Sequence, residues 1–245
     1  SLVKIGGGTQ ILASGQTYTG PTTLEAGTLR VNGSLAAGSA VTVRNGATLG
    51  GTGTIAGAVT VESGGILAPG NSVGTLTLGS LTLNPDANLN FELAAIAASD
   101  RIVVTNNNGL TLNGGTFNFT TPGGMVPGVY PLIQYSGLIG GTGGFNSLQI
   151  GTPELGNYVF QLLNSPGKIS VQVIDNVKTW TAAVDNNWDT ATENWSGTST
   201  VYANGKPVMF DDNGTNTNVN IVADVTPSMV KFNNVAKNYT FTGAA

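Results

Sequence analysis

The chain has 245 residues, a net charge of −4, and 9% charged against 40% hydrophobic side chains. It holds no cysteine and no histidine, which excludes disulfides, thiolate nucleophiles, Cys-ligated metals and any Ser-His catalytic pair. Its scattered cations lack the clustered basic face that nucleic acid requires, and no apolar run approaches the roughly 20 residues of a helical membrane span.

The chain opens at Ser1-Leu2-Val3-Lys4 without an initiating Met or a signal peptide, and reads as a fragment or mature segment of something longer. Thr, Asn, Ser and Gly take the place of charge on the surface. Thr suits a pleated strand, and Asn and Gly accept the left-handed turns between strands. Ile5-Gly-Gly-Gly-Thr-Gln-Ile-Leu12 is a first glycine-rich strand. Val41-Thr-Val-Arg-Asn-Gly-Ala-Thr-Leu49 returns as Val59-Thr-Val-Glu-Ser-Gly-Gly-Ile-Leu67, an offset of 18 residues. Gly50 to Gly57 reads as the corner between the two copies. A weaker copy precedes at Gly27-Thr-Leu-Arg-Val-Asn-Gly33, and others follow at Leu76–Leu78, Leu81–Leu83 and Leu89–Leu93. Each alternates apolar and polar residues, the period of a half-buried strand. Such a strand buries its apolar face only against its neighbours, and a period near 18 to 20 fits one coil of a parallel β-helix. Thr42 and Thr60 would then stack as a side-chain ladder.

The alternation continues through Ile102–Val104, Leu110–Leu112, Phe117–Phe119 and Tyr130–Tyr135. Residues 158–162 and 169–173 read as paired strands joined by a turn at Asn164-Ser-Pro-Gly167. Composition shifts near Asp175. All three Trp (180, 188, 195) fall beyond it, with longer polar loops and the strands Val208–Phe210, Val219–Val222, Val230–Phe232 and Tyr239–Phe241. The expected division is a solenoid over 1–175 and a Trp-rich β module over 176–245 that continues or caps it.

No catalytic or cofactor-binding residue is assigned. Asp211-Asp212 is the only adjacent carboxylate pair, and neighbours on a strand point to opposite faces, so a turn held by Asx chemistry is the simpler reading. Asp185, Asp189, Asp211 and Asp212 are the candidates for a calcium site, since a hard cation needs oxygen ligands. No known calcium-loop spacing is present, and solvated loops are the default. The three Trp could stack on sugars, but their spacing suits a core or cap at least as well.

Thr17–Gly33, Gly46–Ile55 and Gly64–Leu76, the last containing Leu-Ala-Pro-Gly followed by Gly-Thr-Leu, resemble the autotransporter-associated β-strand repeat of bacterial passenger domains. Gln10-Ile11 replaces that family's usual Leu-Thr. Trp180, Asn187-Trp188-Asp189, Asn194-Trp195, Phe210–Asp212 and Tyr239–Gly243 resemble the Trp-rich segment that precedes such repeats in very large surface proteins. The resemblance implies a right-handed parallel β-helix, export to the cell surface or beyond, and a scaffold or adhesive role without a cofactor. Three functions compete: a structural repeat of a fibre, an adhesin or carbohydrate-binding segment, and a polysaccharide-cleaving β-helix enzyme. The sparse, spread charges favour the first. In the family pattern the strand at 239–243 leads into the one at 2–9, so the end of one copy, residue 245, would meet residue 1 of the next, head to tail.

Overall fold

The computed structural model describes residues 1–197 and 199–243. The chain divides into two compact units, one of Ser1–Leu155 with Phe160–Ile174, the other of Gly156–Val159 with Asp175–Ala245. No α-helix occurs among the described residues; the single helical element is a 3₁₀ turn at Gly144–Ser147.

The first unit is a parallel β-solenoid whose coils have three faces. On the first face Leu2–Lys4, Thr22–Leu24, Val41–Val43, the second half of Thr54–Val61, the second half of Thr75–Leu83, and Leu110–Leu112 follow one another in parallel register. On the second face the order is Thr9–Leu12, Gly27–Val31, Ala47–Gly51, Ile66–Pro69, Asn88–Glu92, Gly115–Thr120 and Leu148–Ile150. The third face is made by Ser34–Leu35, the first halves of Thr54–Val61 and Thr75–Leu83, Arg101–Asn107 and Gly128–Ser136. The segment Gly50–Gly57 is therefore more than a corner, because Thr54–Val61 crosses the third face and bends onto the first. Likewise Gly27–Val31 is not a copy of Val41–Val43. It pairs with Ala47–Gly51 on the second face, while Thr22–Leu24 is the true equivalent. The near-repeats at 76–78, 81–83 and 89–93 lie on three different faces, the third, the first and the second in turn.

Alternation puts one apolar column inside each face. Leu24, Val43, Val61, Leu83 and Leu112 stand one above another, fully buried. Leu29, Leu49, Leu67, Leu89 and Phe117 do so on the second face. Leu35, Ile55, Leu78 and Val104 do so on the third. Each such burial stabilises by about 1.5–3 kcal/mol, which makes these columns the main term holding the coils together. Between them, pointing outward, Thr23, Thr42, Thr60, Thr82 and Thr111 form the expected threonine ladder.

The coil length is less regular than the 18-residue offset suggests. From Thr22 the register passes to Val41, Val59, Leu81 and Leu110, steps of 19, 18, 22 and 29 residues. The extra residues go into corners, at 70–74 and 93–100, because a strand register tolerates no insertion that would turn its apolar residues outward. The corner after Ala47–Gly51 admits only glycine. Gly51 sits at φ 110°, and a Cβ there would lie 2.2 Å from the Val31 carbonyl oxygen.

Polar residues take inward positions on the first rung. Lys4 lies in register with Leu24, and Gln10 with Leu29. The Lys4 ammonium donates to the carbonyls of Ile5, Gly6 and Ala26 at 3.0, 2.6 and 3.2 Å, so the charge is solvated by backbone oxygens at the end of the column. At the other extreme of this unit, Lys168–Asp175 adds to Gly128–Ser136 in antiparallel fashion, a departure from an all-parallel helix. The expected turn at Asn164–Gly167 joins it to the adjacent strand Tyr158–Ser165.

The second unit repeats the parallel principle with two strands per coil. Lys178–Thr179, Val208–Asp211 and Val230–Asn233 form one sheet. Asn187–Trp188, Asn218–Ile221 and Thr240–Gly243 form the other. Trp180, Trp188, Trp195, Tyr202, Val208, Phe210 and Val219 make its core.

Candidate functional site

A concavity of the first unit lies on the outer side of the second face. The outward positions there run Arg30, Gly50 and Ala68 in register, followed on the next two strands by the paired Asn90 and Asn118. Ala68 carries only a methyl group, so the surface sinks between Arg30 and the asparagines. The long corners at 70–74 and 93–100 build a wall beside it. The resulting cavity holds about 580 Å³.

Its polar groups are ordered by one another. The Asn118 amide donates to Asn90 Oδ1 at 3.0 Å and Asn88 Oδ1 at 3.4 Å. The Ser72 hydroxyl donates to Glu92 Oε2 at 2.9 Å. Behind them Asp100, 1% exposed, accepts the backbone N–H of Gly74 at 2.8 Å and that of Glu92 at 2.7 Å, tying the two inserted corners to the strand. Burial pushes the Asp100 carboxyl up to about 7, against the pull of those two N–H donors, and the neighbouring Glu92 carboxylate adds to the rise. Sequence reasoning singled out none of these residues. The only sign of them is the lengthened spacing between Leu81 and Leu110, since Glu92 and Asp100 belong to no short motif.

The calcium candidates fall in the second unit, and each is engaged by its own turn. Asp185 accepts from the Asn187 backbone and side chain and from the Asn194 amide. Asp189 accepts the N–H of Ala191 and Thr192 and the Thr192 hydroxyl. Asp211 accepts the Asn213 N–H and amide, and Asp212 the N–H groups of Val235, Ala236 and Lys237. Both oxygens of all four carboxylates are occupied in this way. No cluster of three or more acidic residues able to hold a metal occurs among the described residues. A chelator is accordingly expected to leave the melting temperature unchanged. A fall of about 10 °C, of the order that loss of a hundredfold-saturated ligand produces, would restore these loops as a metal site.

Trp180, Trp188 and Trp195 are 0, 3 and 1% exposed. Trp180 and Trp195 meet edge to face at 5.1 Å, Trp188 and Trp195 at 5.2 Å, and the Trp180 indole donates to the Asn216 carbonyl at 2.8 Å. Their ring faces thus lie in the core and offer no stacking platform to a sugar. On the last coil, by contrast, inward positions are uncovered. Val230 and Phe232 continue the column of Val208 and Phe210, and Phe241 continues that of Val219. Yet they are 42, 56 and 36% exposed. Phe210 meets Phe232 at 5.6 Å and Phe241 at 4.9 Å on one side.

Residues 2–31 match the passenger-associated transport repeat. The chain is 38% identical over 118 residues to an extracellular serine protease of Serratia marcescens, covering 48% of this chain and 11% of that protein. It is 34% identical over 149 residues to the adhesin BmaC autotransporter of Brucella suis biovar 1 (strain 1330), covering 57% of this chain and 4% of that one. The chain thus spans only a small fraction of the length of either relative. No helix among the described residues is long and apolar enough to cross a membrane.

Proposed function

We propose that this chain, an autotransporter passenger-repeat segment that lies outside the bacterial cell or on its surface, is a non-catalytic structural unit that stacks head to tail with further copies into a fibre. The observation that carries this reading is the uncovered last coil. Val230, Phe232 and Phe241 occupy positions whose counterparts on the preceding coil, Val208, Phe210 and Val219, are buried, and Val230–Asn233 and Thr240–Gly243 are both edge strands. Leu2–Lys4 and Thr9–Leu12 are likewise edge strands of two different sheets. A two-strand edge facing a two-strand edge continues both parallel sheets. Such a heterologous contact does not close on itself and propagates as a filament. Right-handed winding accompanies it, because a crossover between parallel strands in one sheet is right-handed almost without exception. The proposed junction runs through Ala245, which lies outside the described residues.

A covalent tandem of two copies tests the idea. The second copy should raise the melting temperature of the preceding Trp-containing unit and protect the amides of Val230–Asn233 and Thr240–Gly243 from exchange. Electron micrographs should show one continuous rod. Two beads with the single copy's melting curve and unprotected edges would overturn it.

A further inference from the structure

We infer that the groove on the outer second face of the first unit is a binding site for a linear, uncharged polysaccharide lying along the solenoid axis. The inference is independent of stacking, because the site is complete within one copy. The floor at Ala68, Pro69 and Gly70 offers too little side chain to hold an apolar ligand by burial, so recognition is polar. The polar groups are of mixed kind and already oriented. With the Asn118 amide donated to Asn90 and Asn88, the Asn118 oxygen and the Asn90 amide face no other partner among the described residues. With Ser72 on Glu92 Oε2, Oε1 of Glu92 remains an open acceptor. Arg30 holds the far end with only two long contacts to Asn71, both at 3.5 Å. Donors and acceptors therefore alternate along the wall, and sugar hydroxyls, which both donate and accept, complement such a lining.

Charge and geometry narrow the ligand further. The Glu92 carboxylate in the wall repels anions, so uronic acids and phosphates are disfavoured. The groove is cut into a sheet face whose backbone is already paired, so a peptide cannot add to it as a strand. Successive outward side chains stand one rung apart, about 4.8 Å, close to the rise of a sugar unit in an extended chain. A linear polymer can thus present equivalent hydroxyls to successive rungs.

The test uses the intact chain and linear hexasaccharides of β-1,4-glucose, β-1,4-mannose, β-1,4-N-acetylglucosamine and β-1,3-glucose, with oligogalacturonate as the anionic comparison. Calorimetry and amide chemical-shift mapping are read together. At least one neutral chain should bind, with shifts centred on residues 68–72, 90–92 and 118–120. Ala68→Trp fills the floor, and Glu92→Gln removes the acceptor charge. Each should weaken binding about tenfold or more, the equivalent of about 1.4 kcal/mol, while circular dichroism and the melting temperature stay unchanged. A destabilised Ala68→Trp would leave Glu92→Gln and the shift map to decide. The inference fails if no neutral chain binds, if oligogalacturonate binds best, or if the shifts fall elsewhere.

Discussion

Trp188→Ala is expected to destabilise the second unit by about 3–5 kcal/mol, the range for large-to-small changes of a buried aromatic. Trp188 packs against Trp195 at 5.2 Å, Tyr202 at 5.5 Å and Phe210 at 5.6 Å, so its loss opens a cavity in the middle of the aromatic cluster. Its indole N–H has no hydrogen-bond partner among the described residues, so the deletion orphans no acceptor, and the whole cost is packing. Only the transition of the second unit should move in a urea or thermal melt, because the columns of the first unit are built from other residues. Loss of less than about 0.5 kcal/mol, below even the Ile→Val range, would mean that the cluster is not the core described above.

Acidification should stabilise the first unit and destabilise the second. Asp100 titrates at about 7 in the folded chain against 3.8 unfolded. Below 3.8 both states hold the proton and the group contributes nothing. Between 3.8 and about 7 the unfolded chain releases it first, so the fold loses about 1.4 kcal/mol per pH unit. Above 7 the loss is complete, at most on the order of 4 kcal/mol relative to acid. Asp185 and Asp212 have the opposite sign. The N–H of Asn187 and the Asn194 amide hold Asp185 below its ordinary range, and the N–H groups of Val235 and Lys237 do the same for Asp212. For Asp189, burial is outweighed by the N–H groups of Ala191 and Thr192, with the same net direction. Their stability is fully present above the ordinary carboxylate value and is lost as pH falls through their lowered folded values. Melts between about pH 3 and pH 8 should therefore show the first transition rising as the pH falls from about 7 to about 4, and the second falling only below about pH 4. Asp100→Asn should flatten the first transition and leave the second as it was. A first transition that falls with acid in the unaltered chain would contradict the assignment.

The fold class was legible because its cause is local. V-T-V at 41 and at 59 puts Val inside and Thr outside whatever the neighbours are, and the shared Gly and Leu fix where each strand ends. The three-faced coil was less legible. Thr22-Thr-Leu24 carries the same face as Val41-Thr-Val43, but a buried Thr22, hydrogen-bonded to Ser39 at 3.1 Å, hides the match behind a polar letter. Gly50 to Gly57 looks like a corner because five of its eight residues are glycine or alanine, and only stacking on Ser34–Leu35 and Leu78 makes part of it a strand. The groove was not legible at all. It arises from residues that are near each other only across rungs, Arg30, Ala68 and Glu92 for example, and from insertions whose length carries no residue pattern. The Asp candidates were visible as oxygen-rich loops, but whether a carboxylate faces its own backbone or an ion is decided by turn geometry that composition does not record.

The step of 18 residues between Val41 and Val59 bears on how such a chain changes its length over generations. Excising 41–58 would join Ala40 to Val59 and bring Thr22-Thr-Leu24 against Val59-Thr-Val61, Leu29 against Leu67, and Leu35 against Leu78, with every column unbroken. Duplicating the same stretch is equally silent. Unequal recombination within the gene therefore lands on a foldable product whenever it gains or loses a whole coil, and on a broken one whenever it does not. Reach becomes a heritable dimension that drifts in discrete increments, and a lineage can lengthen or shorten what it displays without inventing a new sequence.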